Sequence, residues 1–194
     1  MPHAAAISLD RMVRAVEKVR ERLLRAVAAL EAAGIPYAVA GGNAIAAWVS
    51  TVDEAAVRNT RDVDMMLRRS DLDSARLALE REGFIYRHVA GLDVFLDGPN
   101  SSARDAVHVV FANEKVKPHE GFANPDITAA ERASEFFVLS LSALVQIKLT
   151  ANRDKDRTHI RDLIEVGLVD ESWVANLPNE LAERLQGILD DPLG

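Results

Sequence analysis

The sequence predicts an α/β protein of the α+β kind, a mixed β-sheet flanked by helices and followed by a helical C-terminal segment. Three observations carry this. Apolar residues recur at helical spacing near both ends of the chain, short apolar runs bounded by glycine lie between them, and the stretch 118–130, with Pro118, Gly121 and Pro125, separates the two patterns. The 194 residues suit one domain with an appended segment rather than two large domains. Residues 1–130 are therefore expected to form a sheet-based core with its N-terminal helix, and residues 131–194 a helical segment packed on it.

Each element has a local reason. Leu9, Met12, Val13, Val16, Leu23, Val27 and Leu30 mark one amphipathic helix over 8–33, which Gly34 and Pro36 stop. Tyr37 to Ala40 reads as a strand, Gly41-Gly42 as a tight turn, and Asn43 as the cap of a helix through Trp48. The polar stretch 50–61 reads as a loop and Asp62 to Leu67 as a second strand. Ser70 or Asp71 can cap a helix to about Glu82 that Gly83 ends, and three further strands are expected at 84–89, 92–96 and 107–111. From Ser140 the pattern returns to helix, with apolar faces at Leu141, Leu144, Val145, Ile147 and Leu149 and again at Leu163, Ile164 and Leu168.

Composition removes several classes of function. Twenty-three basic against 30 acidic side chains leave a net charge of −7, which argues against a charge-driven grip on nucleic acid and against reading a DNA groove, though not against a local basic patch. The absence of cysteine excludes a disulfide framework, a thiolate zinc site and a cysteine nucleophile, and points to a cytoplasmic protein. The longest apolar stretch, Ala38 to Val49, falls short of the roughly 20 residues that span a bilayer and is broken by Gly41, Gly42 and Asn43. No membrane contact and no export leader are expected. No repeat or low-complexity tract is present.

The residues that can carry chemistry cluster in two places. Asp62 and Asp64, two apart on a strand, should send both carboxylates from one face, where a hard divalent cation such as Mg²⁺ would relieve their repulsion and join them to the phosphates of a nucleotide. The bland reading is a solvated sheet face. Gly41-Gly42, between strand and helix, lets backbone N–H groups approach phosphate, or serves only as a turn. A dinucleotide fingerprint would need glycines where Asn43 and Ala46 stand. Arg58 and Arg61 flank Thr60, where a guanidinium can reach phosphate or balance the aspartates, and Thr60 can orient Asp62. Lys148, Asn152, Lys155, Asp156 and His159 are expected to share one polar helix face. Arg153, Arg157 and Arg161 are expected to face solvent or a partner rather than the chemistry. His3, His88 and His119 read as surface residues, and Trp48 and Trp173 as core anchors.

Taken together, Gly41-Gly42-Asn43-Ala44 and Arg58-Asn59-Thr60-Arg61-Asp62-Val63-Asp64 resemble the G-G-x-A and R-x-T-x-D-x-D signature of the nucleotidyltransferase superfamily. The chain is similar in particular to bacterial nucleotidyltransferase-like proteins that include the AbiEii-type toxins of toxin–antitoxin pairs, whose C-terminal helix carries a leucine-rich stretch, a lysine and a K-D-x-x-D-like run; Leu144 to Leu163 matches that pattern. The resemblance covers roughly residues 35–165.

The resemblance implies a nucleotidyltransferase fold and Mg²⁺-dependent transfer of a nucleoside monophosphate from an NTP to a hydroxyl of a small molecule, an RNA end or a protein. Asp62 and Asp64 would hold metal, and Gly41, Gly42, Asn43, Arg58, Thr60, Arg61 and Lys148 would bind nucleotide. A protein antitoxin is an implied partner. A third carboxylate normally completes the site from a later strand. Here Val107-His108-Val109-Val110-Phe111 places His108 at that position, where imidazole can take a proton near neutral pH or simply serve the sheet. Asp93, Asp105 and Glu114 are the nearby acids that could replace it, and a catalytically degenerate nucleotide-binding or interaction protein is the alternative.

Overall fold

The structure is a computed structural model that describes residues 8–102 and 105–192; His3 lies outside the described residues. A seven-stranded mixed sheet runs in the order β3-β4-β5-β2-β1-β7-β6. Its strands are β1 (Ala38–Ala40), β2 (Val63–Leu67), β3 (Ile85–Val89), β4 (Leu92–Leu96), β5 (Ala106–Phe111), β6 (Ala130–Arg132) and β7 (Phe137–Leu139). β2 pairs parallel with β5 and β1 parallel with β7, and the remaining neighbours are antiparallel. The helices are α1 (Leu9–Ala32), α2 (Gly41–Ser50), α3 (Leu72–Arg81), α4 (Leu141–Ala151), α5 (Asp154–Glu165) and α6 (Asn179–Asp190).

Alternation along the central strands divides the core. Val39, Val63, Met65 and Val109 point to the face covered by α1 and α3, where Leu23, Leu30 and Leu79 are buried. Ala38, Ala40 and Met66 point to the opposite face, under Ala143 of α4. A third cluster joins α2, α4, α5 and α6 through Ile45, Leu144, Ile160 and Leu185. Each such leucine or isoleucine contributes about 1.5–3 kcal/mol on burial. Burial on α1 begins only at Val19, and Leu9, Met12, Val13 and Val16, expected on its apolar face, are exposed.

Two features were not visible in the sequence. β6 and β7 follow the 118–130 stretch and extend the sheet beyond β1, so the helical tail begins at Leu141. The helix expected from Ser140 onward is broken at Asn152, which adopts the left-handed conformation (φ 46°) and turns the chain between α4 and α5. Trp48 is anchored in the core as expected, its Nε1 donating to the Leu139 carbonyl at 2.9 Å, and Trp173 packs on the same cluster.

Candidate active site

The site is built where β1 runs directly into α2. There is no turn between them: Ala40 is the N-cap residue and Gly41 the first residue of the helix, with φ +62°. Asn43 is therefore not the cap expected from the sequence. Its Nδ2 donates at 2.8 Å to the carbonyl of Asp62, an acceptor the chain leaves just ahead of β2. Both glycines are required by what lies against them. A Cβ on Gly41 would overlap the Asp64 carboxylate and stand 2.6 Å from its Cγ, and a Cβ on Gly42 would stand 2.9 Å from Cβ and Oγ1 of Thr60.

The aspartate pair is only partly a strand pair. β2 starts at Val63, so Asp62 precedes it and the alternation argument applies to Asp64 alone. Asp64 lies in register between Ala40 of β1 and His108 of β5, so the Asp64 and His108 side chains leave the same face of the sheet. Asp62 Oδ2 is 3.5 Å from the ammonium of Lys155, with both side chains partly exposed. The positive end of the α2 dipole meets the same spot.

The three alternative acids each hold partners of their own, although Asp93 and Glu114 line the same cleft as Asp64 and His108. Asp93 is buried, which acts to raise its pKa, but hydrogen bonds from Tyr86 Oη (2.5 Å) and His88 Nδ1 (2.8 Å) outweigh burial and hold it below the usual carboxylate range. Asp105 faces Arg22 at 3.5 Å. Glu114 takes two bonds from Arg69, both 2.6 Å, which lower its pKa. Among the described residues no group of three or more His, Cys, Asp or Glu side chains converges as a metal site. The Asp64 carboxylate at the glycine step and the Asp62 carboxylate two residues before it are the candidate donors to a hard cation.

The break between α4 and α5 brings cations to these carboxylates. Lys148 is buried, not on an open polar face, and its Nζ donates at 3.0 Å to Asp156, which is itself fully buried. Burial pushes the Asp156 carboxyl up, and the Arg153 and Lys148 cations overcome this and hold it low. Arg153 bonds Asp156 through Nε at 2.6 Å and also feels the Asp64 charge. It lines, with Asp64, His108 and Lys148, a cleft of about 310 Å³. Arg153, expected to face solvent or a partner, instead lines this cleft because the chain turns at Asn152. Arg157, by contrast, pairs with Asp154, and Arg161 bonds the Asp191 carbonyl at 3.1 Å.

Arg58 does not balance the aspartate pair. Its Nε bonds Asp162 Oδ1 of α5 at 2.7 Å. The Arg61 carbonyl accepts from the buried Arg22 at 3.3 Å, while its own side chain is exposed. Arg58 and Thr60 edge a second cleft, of about 200 Å³, between α2 and α5. On its α5 wall His159 and Asp162 are both buried, 8% and 5% exposed, and His159 Nδ1 and Asp162 Oδ2 have no hydrogen-bond partner. Burial and the neighbouring Lys148 and Lys155 charges push the His159 pKa down to about 4, so its ring is neutral at pH 7. Burial pushes the Asp162 carboxyl up against the opposing pull of Arg58. His159 and Asp156 belong to the polar face that the sequence allows to look toward a nucleotide, and the spacing by three along α5 extends that inward stripe to Asp162, which the sequence reading left out.

Solved structures supply the comparison that decides the fold. An antigenic nucleotidyltransferase-like protein from Paracoccidioides brasiliensis is similar over 91% of this chain and 89% of its own, at a TM-score of 0.59 and 19% identity. The fold is that of a nucleotidyltransferase. ANT(2")-Ia, solved in complex with adenylyl-2"-tobramycin, is similar to this nucleotidyltransferase fold over 92% of this chain and 99% of its own, at a TM-score of 0.54 and 15% identity. JHP933 from Helicobacter pylori is similar over 96% and 77%, at a TM-score of 0.51 and 14% identity. No family model matches the sequence, and no curated protein does. Among the described residues no helix is long and apolar enough to cross a membrane.

Proposed function

We propose that the chain transfers a nucleoside monophosphate from an NTP to a hydroxyl acceptor. The observation that carries this reading is the Asp64 carboxylate lying against Gly41 at the start of α2, in register with His108 and next to Asp62. Gly41, Gly42 and the α2 N-terminus hold the triphosphate, with Arg153 and Lys155 as cations at its edge. The donor set fits Mg²⁺, a hard ion bound by one or two carboxylates and completed by phosphate oxygens and water. Asp62 and Asp64 would hold it, and when bound it offsets charge developing on the phosphates.

The chain's own residues do the rest. The acceptor O–H attacks the α-phosphorus, the bond to the bridging oxygen breaks, and pyrophosphate leaves. His108 takes the acceptor proton from the side of Asp64 that faces the larger cleft. Lys148 orients Arg153 through the shared Asp156 rather than lying free on an open helix face.

A second reading, nucleotide binding without turnover, is favoured by the imidazole standing at the third carboxylate position. Label transfer from α-³²P NTPs, with RNA, protein or small-molecule acceptors, separates the two. Transfer in the parent that falls about 10²-fold in His108→Asn, with nucleotide binding unchanged, supports the enzyme. Binding without transfer, with transfer appearing in His108→Asp, establishes the binding protein. The same acceptor comparison tests the toxin role, which requires an RNA or protein acceptor.

A further inference from the structure

The smaller cleft is built for a ligand that the triphosphate end alone does not explain. Gly42 belongs both to the glycine step and to this cleft, and Lys155 reaches from its wall to Asp62, so a group attached to a phosphate chain at the step enters it directly. It lies on the α5 side, bordered by none of Asp64, His108 or Val110, which line the other cleft. Its floor is the apolar flank of α2 at Ile45, Ala46 and Val49. At about 200 Å³ it is below the roughly 300–1,000 Å³ of drug-sized sites, which limits the occupant to a single ring system.

Its polar groups are specific. Arg58 fixes one oxygen of Asp162 and leaves Oδ2 without a partner, and one helical turn away His159 Nδ1 is likewise unpartnered, both atoms being out of contact with solvent. Buried polar atoms in this state destabilise the fold unless a partner completes them. We propose that this cleft receives the base of the nucleoside triphosphate and selects one that carries an exocyclic amine beside a ring nitrogen. As the base enters, the two side chains turn toward the cleft, so that the amine donates to Asp162 Oδ2 and the ring nitrogen accepts from His159 in its Nδ1–H tautomer. Adenine and cytosine present that pair. Uracil sets a carbonyl oxygen against the carboxylate instead, and the two acceptors repel. The inference rests on the nucleotide reading of the glycine step.

The test is equilibrium binding of ATP, CTP, UTP and inorganic tripolyphosphate, each with Mg²⁺, to the parent, Asp162→Asn and Ala46→Leu. The parent is expected to bind ATP or CTP at least about tenfold tighter than UTP or tripolyphosphate, the scale of one charge-assisted hydrogen bond. Asp162→Asn should remove that advantage and leave tripolyphosphate binding unchanged. Ala46→Leu, which fills the floor without touching a polar group, should do the same and guards against a folding defect in Asp162→Asn. If UTP binds the parent as tightly as ATP and CTP, or if both variants keep the preference, the base cleft is wrong while the phosphate site stands. If tripolyphosphate and every NTP fail to bind, the nucleotide reading itself falls and this inference with it.

Discussion

The Asp64 carboxylate occupies the space a side chain would need at Gly41, so the strand that carries the carboxylate and the helix that starts beside it meet at one residue with no freedom to grow. Gly41→Ala should therefore fail twice: at φ +62° an alanine costs about 1–2 kcal/mol, and its Cβ must push Asp64 aside. Gly34→Ala is the control, since Gly34 has φ +65° but open space around it. Thermal melts with and without MgCl₂ and NTP should show a lowered Tm in both and loss of ligand-induced stabilisation in Gly41→Ala alone. Retained stabilisation in Gly41→Ala would remove the glycine step from the site.

Repulsion between two carboxylates two residues apart would by itself make removal of one slightly stabilising. With Lys155 at 3.5 Å from Asp62 and Arg153 near Asp64, the charges are already offset. Asp62→Asn and Lys155→Met should each change stability by less than about 1 kcal/mol, because the pair is half exposed and screened. Asp62→Asn should still abolish Mg²⁺-dependent nucleotide stabilisation. A gain of several degrees in Tm for Asp62→Asn without ligand would restore the repulsion picture.

The Lys148–Asp156 pair behaves oppositely because it is buried at both ends, 6% and 1% exposed by side chain. Asp156→Asn leaves the Lys148 ammonium without its counter-charge and should cost about 3–5 kcal/mol by urea denaturation. The double variant Lys148→Met with Asp156→Asn should recover part of that loss. Additive losses would show that the pair does not interact.

His159 gives a pH dependence of definite sign. Its folded pKa, about 4, lies below the unfolded value near 6.5, so the unfolded chain binds more protons between the two. The contribution is fully present above about pH 6.5 and is lost as pH falls to about 4, amounting to at most about 3 kcal/mol. The raised pKa of Asp162 works against this slope in acid, and the lowered pKa of Asp156 adds to it only below the usual carboxylate range. Denaturation between pH 4 and 7 should show stability falling towards acid in the parent and a flatter profile in His159→Gln. An equal slope in the two proteins would contradict a buried neutral imidazole.

Periodicity made most of the fold readable. α1, α3 and strands β2 to β5 stand within a residue or two of their sequence positions, because each is long enough to show its period. β6 and β7, three residues each, are too short to show one. His108 was legible only through the resemblance, which puts it at the later strand's carboxylate position; its parallel register with Asp64 comes from the structure. The α5 side was legible in part: Lys155, Asp156 and His159 share a polar face that can look toward a nucleotide, but the left-handed Asn152 that splits the helix leaves no signal in the periodicity. That break hid Arg153 and Asp162.

β1 takes its outer neighbour from Val138 of β7, and Asp62 takes its ammonium from a lysine 93 residues further along the chain. During synthesis the aspartates and glycines thus emerge long before what completes them. A nonsense mutation or frameshift ahead of the codons for β7 would leave the glycine junction on a bare sheet edge, whose unpaired N–H and C=O groups invite pairing with another copy. Such alleles should yield an insoluble product rather than a weakened protein, and so behave genetically as nulls.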